Sequence, residues 1–220
     1  MNKKKAVVLL SGGLDSATVL YIVKARGYEA YALSFDYGQR HGRELESARL
    51  LSRMSGTKSC VVKISLPWGG SSLLDKDKKV PVGCLRRKRV PDTYVPARNI
   101  IFLSFAASYA EAIGARKVFI GANQIDYSGY PDCRHDFIRS FSAMIKKGMR
   151  TGIYGKAISV EAPLINMTKS QIITKACNIG VPLRYTWSCY EAGSLPCGRC
   201  DSCLIRAKGF QAAGIKDPFR

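Results

Sequence analysis

The chain has 220 residues and a mass of 24.2 kDa, 46% hydrophobic and 23% charged; that length and apolar fraction exclude a disordered chain and make one domain the default. Lys and Arg outnumber Asp and Glu 35 to 16, a formal net charge of +19, which calls for anionic partners: a nucleotide with its phosphates, nucleic acid, or both. The apolar run in "MNKKKAVVLL" is too short for a signal-peptide core or a membrane span, so a cytoplasmic protein with no membrane partner is expected.

In chain order, "AVVLL" (6–10) reads as a buried strand rich in aliphatic residues, and residues 15–26 as a helix. "AYALSF" (30–35) is a second strand. A helix over 41–55 follows, with Leu45, Ala48, Leu51 and Ser55 on one face and Gly56 as its stop. "CVVKI" (60–64) is a third strand. Residues 65–97, with Pro67, Pro81, Pro91 and Pro96, form a long loop of the kind that serves as a lid or binding segment. Within it, Lys76 to Asp92 carries seven basic and two acidic residues, a pattern that is most simply a solvated loop. A helix over 99–113, a strand "KVFIGA" (117–122) and helices over 135–147, 168–179 and 203–213 complete the pattern. Strands alternating with helices imply a doubly wound α/β fold with a parallel sheet.

The first strand runs straight into Ser11, Gly12, Gly13, Leu14, Asp15 and Ser16 and then a helix. A strand–turn–helix of this composition aims backbone N–H groups and the positive helix end at one point, which makes an anion site. The glycines allow close backbone approach, and Ser11 and Ser16 carry hydroxyl donors. The spacing fits neither the ATPase P-loop nor the G-x-G-x-x-G fingerprint. Asp15 is the departure: an acid beside phosphates is explained by a bridging Mg²⁺, or else it caps the helix.

Four of the eight cysteines fall in Cys189-x₇-Cys197-x₂-Cys200-x₂-Cys203. C-x₂-C pairs bring both thiolates to one tetrahedral ion, and four sulfurs close the shell, so one structural Zn²⁺ per chain is expected. Gly198 and Arg199 suit a tight knuckle. An iron–sulfur cluster and a redox dithiol are the competing readings. Cys60 and Cys177 read as small core residues, Cys84 as exposed, and Cys133 as a packing residue rather than a nucleophile.

"SGGLDS" resembles the pyrophosphate-binding loop of the N-type ATP pyrophosphatases, an adenine nucleotide alpha hydrolase-like superfamily. Together with "FDYGQRH" (35–41), "YVPARNIIFLSFAASYA" (94–110), "DYSGYPDCR" (126–134) and "SCYEAGSLPCGRCDSCLIRAKGF" (188–210), it is similar to the 7-cyano-7-deazaguanine synthase family of queuosine-precursor biosynthesis. The match runs from about residue 6 to about residue 213. The resemblance implies an ATP-dependent ligase acting on 7-carboxy-7-deazaguanine and ammonia by adenylation, amide formation and dehydration to the nitrile, with Mg²⁺ accompanying ATP and a homodimer as the assembly. It implies ATP contacts from Leu10, Ser11, Gly12, Gly13, Leu14, Asp15, Ser16 and Phe35, and catalytic roles for Asp15, Ser16 and Arg98. The acceptor then falls to Asn99, Asp126, Tyr127, Tyr130, Asp132 and Arg134, which offer aromatic faces for a planar ring, carboxylates for a guanine-like edge, and a guanidinium fork for a carboxylate or phosphate. The organisation expected is an ATP-binding α/β unit over 1–187 and a zinc-binding segment over 188–220, packed as one domain. His41 and His135 carry no assigned role. Two other functions compete: a PP-loop enzyme that modifies tRNA, suited to the net charge, and a noncatalytic zinc module that binds nucleic acid, which leaves the turn unexplained.

Overall fold

The structure is a computed structural model that describes residues 3–40, 42–75, 77–79, 82, 90–124, 129–191 and 193–219. Its strands are β1 (Lys5–Leu9), β2 (Glu29–Asp36), β3 (Lys58–Lys63), β4 (Lys117–Phe119) and β5 (Ser159–Glu161). They form one sheet in the order β3-β2-β1-β4-β5, with every pairing parallel. The helices are α1 (Leu14–Ala25), α2 (Arg43–Met54), α3 (Arg98–Ile113), α4 (His135–Gly148), the single turn α5 (Arg150–Ile153), α6 (Lys169–Asn178) and α7 (Asp201–Ala213). The doubly wound expectation therefore holds. β5 was not anticipated: its three residues, Ser159–Glu161, are fewer than any periodic signal needs.

β1 is the central strand and is buried on both faces, as a parallel strand covered by crossover helices must be. Its side chains divide by parity. Ala6 and Val8 join the core shared with α1, α2, α6 and α7, where Leu20, Leu51, Ile172, Ile173 and Phe210 are buried. Val7 and Leu9 face the opposite layer, built on Leu103, Ala106 and Ala110 of α3 and Ile138, Phe141 and Ile145 of α4. The polar exterior falls where the pattern allows it, with one correction. Cys177 is exposed on α6 and Cys60 is only half-buried; the core face of α6 is Ile172, Ile173 and Ala176, and at about 100° per residue Cys177 lies roughly a quarter-turn round the helix from the middle of that face.

Strand order reverses between β1 and β4. Ligand crevices of open α/β sheets form at such a point, beyond the carboxyl ends of the strands. Here Leu9 and Leu10 after β1, Leu33 and Phe35 of β2, and Ile120 and Gly121 after β4 line one cleft. Leu73, in the segment before α3, lines it as well. Arg40 binds that segment by donating to the carbonyl oxygens of Ser72 and Asp75, each at 2.8 Å, and to that of Lys78. Val82 makes an antiparallel bridge to Cys200, so the loop also reaches the cysteine segment. Most of the basic run over 76–89, Cys84 included, lies outside the described residues.

Candidate active site

The turn after β1 is fixed by its own small side chains. Gly12 has φ +88 and sits against the start of α2: a Cβ placed on it would lie 2.1 Å from the Glu44 carbonyl oxygen. Only glycine satisfies both conditions. Trp187 N–H donates to the Gly12 carbonyl at 2.9 Å, which ties the turn to the cysteine segment. Ser16 Oγ donates to Gly13 O at 3.0 Å and lies 3.0 Å from Ser11 Oγ, whose oxygen also accepts from Gly13 N–H at 3.3 Å. Both serine protons are thus used inside the turn. They shape it, and they meet an anion only by re-aiming.

Asp15 is no helix cap. The N-cap of α1 is Gly13, with no side-chain cap bond. The Asp15 carboxylate points into the cleft, where Lys169 Nζ lies 2.7 Å from each of its oxygens and Asn123 Nδ2 donates to Oδ2 at 2.9 Å. Side-chain exposure is only 14% for Lys169 and 23% for Asp15, so the pair is shielded from most of the screening that makes surface ion pairs weak. Lys169 is delivered by a capping box: Thr168 accepts from Gln171 N–H while the Gln171 side chain accepts from Thr168 N–H. Lys169 and Asn123, which hold the Asp15 carboxylate, are candidate site residues that sequence reasoning missed. The signal for Lys169 was present: a lysine in the first turn of a helix opposes the helix dipole.

The far wall is built on the start of α3. Ala97, the N-cap of α3, has φ 55, the one non-glycine residue with positive φ among the described residues. Such strain persists where the surroundings impose it. Here it sends Arg98 into the cleft and turns Asn99 toward the 131–133 turn. Arg98 Nη1 donates to Tyr37 Oη at 3.3 Å. Burial raises the Tyr37 hydroxyl above its ordinary pKa. Asp132 is 5% exposed and accepts the Asn99 backbone N–H at 3.1 Å. It closes the α3 N-terminus, which has no other side-chain cap, and the expectation that it reads a ligand edge meets a carboxylate already engaged. Burial raises its pKa, opposed by that backbone bond and by Arg98. Asn99 Nδ2 donates to Asp132 O and Cys133 Sγ, at 3.3 and 3.2 Å. Cys133 is buried and lines the cleft.

Phe35 also lines the cleft and stacks on Phe102, with centroids 4.0 Å apart and planes 3° from parallel. Tyr130 lines it too, its hydroxyl 2.7 Å from Thr93 Oγ1. Arg134 is exposed at the start of α4 and does not line it. His135 Nε2 lies 2.7 Å from Asn166 Oδ1 in an exposed position. Asp126, Tyr127 and His41 lie outside the described residues. A further residue not singled out from sequence is Glu44. This half-buried acid in the first turn of α2 lines the cleft near Arg98, and burial pushes its pKa up to about 7 against the lowering influence of that guanidinium.

Cys189, Cys197, Cys200 and Cys203 converge, with all four sulfurs within 4.8 Å of one another. A tetrahedron with Zn–S bonds of about 2.3 Å has edges of about 3.8 Å, and Cys197 Sγ lies 4.0 Å from Cys203 Sγ. Backbone amides point at the sulfurs: Glu191 and Cys197 N–H donate to Cys189 Sγ, each at 3.3 Å, and Cys200 N–H to Cys197 Sγ at 3.4 Å. Gly198, with φ +73, makes the knuckle. Hydrogen bonds from Cys189 and Cys203 hold the Cys200 thiol well below the usual range. A preorganised set of four thiols, three buried and Cys197 half-buried, with amide donors around it fits a metal ion. The cluster adjoins the cleft, which Trp187, Ser188 and Tyr190 also line.

A parallel sheet whose central strand ends in a glycine-rich turn at the point where strand order reverses, beside a four-cysteine cluster, defines a doubly wound α/β protein. The fold is similar to that of NMN synthetase from Francisella tularensis, with a TM-score of 0.53 and 15% identity over 97% of this chain and 79% of that one. Residues 5–214 match the family described as queuosine biosynthesis protein QueC. The chain is 50% identical over 220 residues to the 7-cyano-7-deazaguanine synthase of Clostridium kluyveri, covering 99% of this chain and 97% of that protein. With the synthase of Trichodesmium erythraeum it shares 51% over 220 residues, covering 98% and 99%. The chain belongs to the QueC family.

Proposed function

We propose that this chain is an ATP-dependent ligase that makes 7-cyano-7-deazaguanine from 7-carboxy-7-deazaguanine and ammonia, and that the cleft beyond β1, β2 and β4 is its active site. The observation that carries the reading is identity of about half the residues, along nearly the whole chain, to proteins named for that product. A carboxylate resists nucleophiles because oxide is a poor leaving group, so it must be activated. Its oxygen attacks the α phosphorus of ATP and pyrophosphate departs; ammonia then displaces AMP to give the amide, and the amide oxygen is activated in turn for loss of water to the nitrile.

The chain's own groups divide this work. The amides of Gly12 and of residues 14–16 in the first turn of α1 hold the departing phosphates, those of Ser11 and Gly13 being spent on the serine hydroxyls, an arrangement that favours charge as it develops. Lys169, now on Asp15, has the reach and charge to transfer to phosphate oxygens when ATP enters. Mg²⁺ accompanying ATP would then be held by Asp15 and supply neutralisation of the pyrophosphate. Arg98 presents a fixed fork to the acceptor carboxylate. Phe35 and Tyr130 offer ring faces. The cysteine cluster holds one structural Zn²⁺, closed to water by its four sulfurs, and braces the Gly12 turn through Trp187. The segments 1–187 and 188–220 act as one unit, in a cytoplasmic homodimer.

Incubation with ATP, ammonium and the carboxy-deazaguanine, followed by mass spectrometry, tests the reading. A product bearing a nitrile, dependent on all three, is expected. A mass change confined to tRNA would replace the free-base reading with RNA modification, and no ATP turnover at all would reject both.

A further inference from the structure

Amide formation poses a proton problem that the groups named so far do not solve. When ammonia adds to the acyl adenylate, the nitrogen of the adduct is positively charged, and ammonia is then a better leaving group than AMP. A base must remove a proton from nitrogen before the C–O bond to AMP breaks. Asp15 is bound by Lys169 and Asn123, and Asp132 closes the α3 N-terminus. Cys133 Sγ accepts from Asn99. Among the described residues, Glu44 lines the same cleft, and its carboxylate, which faces Arg98, accepts no hydrogen bond.

We propose that Glu44 is the catalytic base of the amide-forming step, taking the proton from the attacking nitrogen as the C–N bond forms and the C–O bond to AMP breaks. The balance closes: acyl adenylate and ammonia give amide, AMP and one proton, and that proton rests on the Glu44 carboxylate until solvent removes it. The proposal rests on the adenylation reading above.

Position and surroundings both support it. The Glu44 backbone packs on Gly12 of the anion turn, so the residue is held next to the place where the adenylate forms. Arg98 from α3 and Tyr37 from the end of β2 face it electrostatically; Arg40, the Asp15–Lys169 pair and Arg206 line the rest of the cleft. Arg98 keeps the carboxylate available as an anion, and the shortage of water raises its basicity to about 7, the range in which a general base works best at neutral pH. A carboxylate at its ordinary pKa would be too weak a base, and one paired with Lys169 too well neutralised.

The test compares wild-type zinc-loaded protein, Glu44→Gln and Glu44→Asp in two assays: carboxylate-dependent exchange of pyrophosphate into ATP, which reports adenylation alone, and product formation between pH 5.5 and 8.5 with total ammonium adjusted at each pH to hold free ammonia constant. Glu44→Gln is expected to keep exchange within about threefold while product formation falls about 100-fold or more, and its rate is expected to lose the rise with pH through about 7 that the wild type shows. Glu44→Asp, which keeps a base, is expected to retain that rise. Product formation by Glu44→Gln within about threefold of wild type overturns the proposal. A raised KM for the acid with kcat unchanged also overturns it and makes Glu44 a reader of the substrate edge. Wild-type protein that forms product with no exchange overturns the adenylation reading, and the proposal falls with it.

Discussion

Replacing Gly12 by alanine should damage the protein in a way that replacing Gly13 does not. At Gly12 a Cβ would meet the Glu44 carbonyl oxygen at 2.1 Å, the Ala48 backbone nitrogen at 2.8 Å and Ser47 Cβ at 2.9 Å, on a residue with φ +88. The first two obstacles are backbone, so no rotamer change relieves them. Holding alanine at that φ costs about 1–3 kcal/mol, and forcing a methyl into a packed contact about 1–3 kcal/mol more. The sum, roughly 2–6 kcal/mol, corresponds to a fall in Tm of roughly 4–24 °C for a chain of this size. Relief comes only if the turn and α2 separate by about an ångström, a misplacement that costs about 100-fold in rate when it reaches reacting groups. At Gly13 the φ is −74 and the nearest atom to a Cβ is Ser11 Oγ at 3.4 Å, an ordinary contact, so Gly13→Ala should melt within about 2 °C of wild type. Thermal melts beside turnover assays on both variants decide the matter. A Gly12→Ala protein with wild-type Tm and wild-type rate would refute the argument that the turn is locked against α2.

Cys200→Ser should reduce metal content from about one zinc per chain to near none and release soluble protein into aggregates, since binding energy at closed sites is folding energy; elemental analysis showing a folded, active, zinc-free variant would contradict this, and iron with acid-labile sulfide would identify a different metal. Lys169→Met and Asp15→Asn should each lower turnover by about 100-fold or more with a small change in Tm, and the double variant should lose less than the product of the two because the groups share one contact; additive losses in kinetics of all three would show that the pair does not act together. Glu44 titrates near 7 in the folded protein against about 4.5 when unfolded, so the native state binds the extra proton and the stability that this proton brings is full below about pH 4.5 and lost as pH rises through 7. Glu44→Gln, which cannot ionise, should therefore gain in Tm relative to wild type between pH 5 and 7.5, and a difference independent of pH would contradict the shift.

What the sequence made legible is what it holds contiguously. "SGGLDS" and the four cysteines each place their chemistry within a few residues, and both appear in the structure as expected: a turn at the end of the central strand and a convergent thiol cluster. Groups that reach the cleft from distant elements were hidden. Asn123 follows β4, Glu44 stands among the ordinary charges of an amphipathic helix, and Lys169 resembled a surface lysine. Asp132 shows the opposite case: its neighbours suggested a ligand pocket, and its carboxylate also serves a helix start that has no side-chain cap of its own. The Lys169 contact shows why such cases resist reading. Its side chain reaches Asp15 only by crossing α7 at Gly209, where a Cβ would lie 2.4 Å from Lys169 Cγ and 2.9 Å from Ile173 Cδ1. One missing side chain therefore sets both how closely α6 and α7 pack and whether the ammonium arrives at Asp15. The helix packing and the cleft geometry are a single constraint, spread over residues 15, 169 and 209, and no local pattern of propensity or spacing records it.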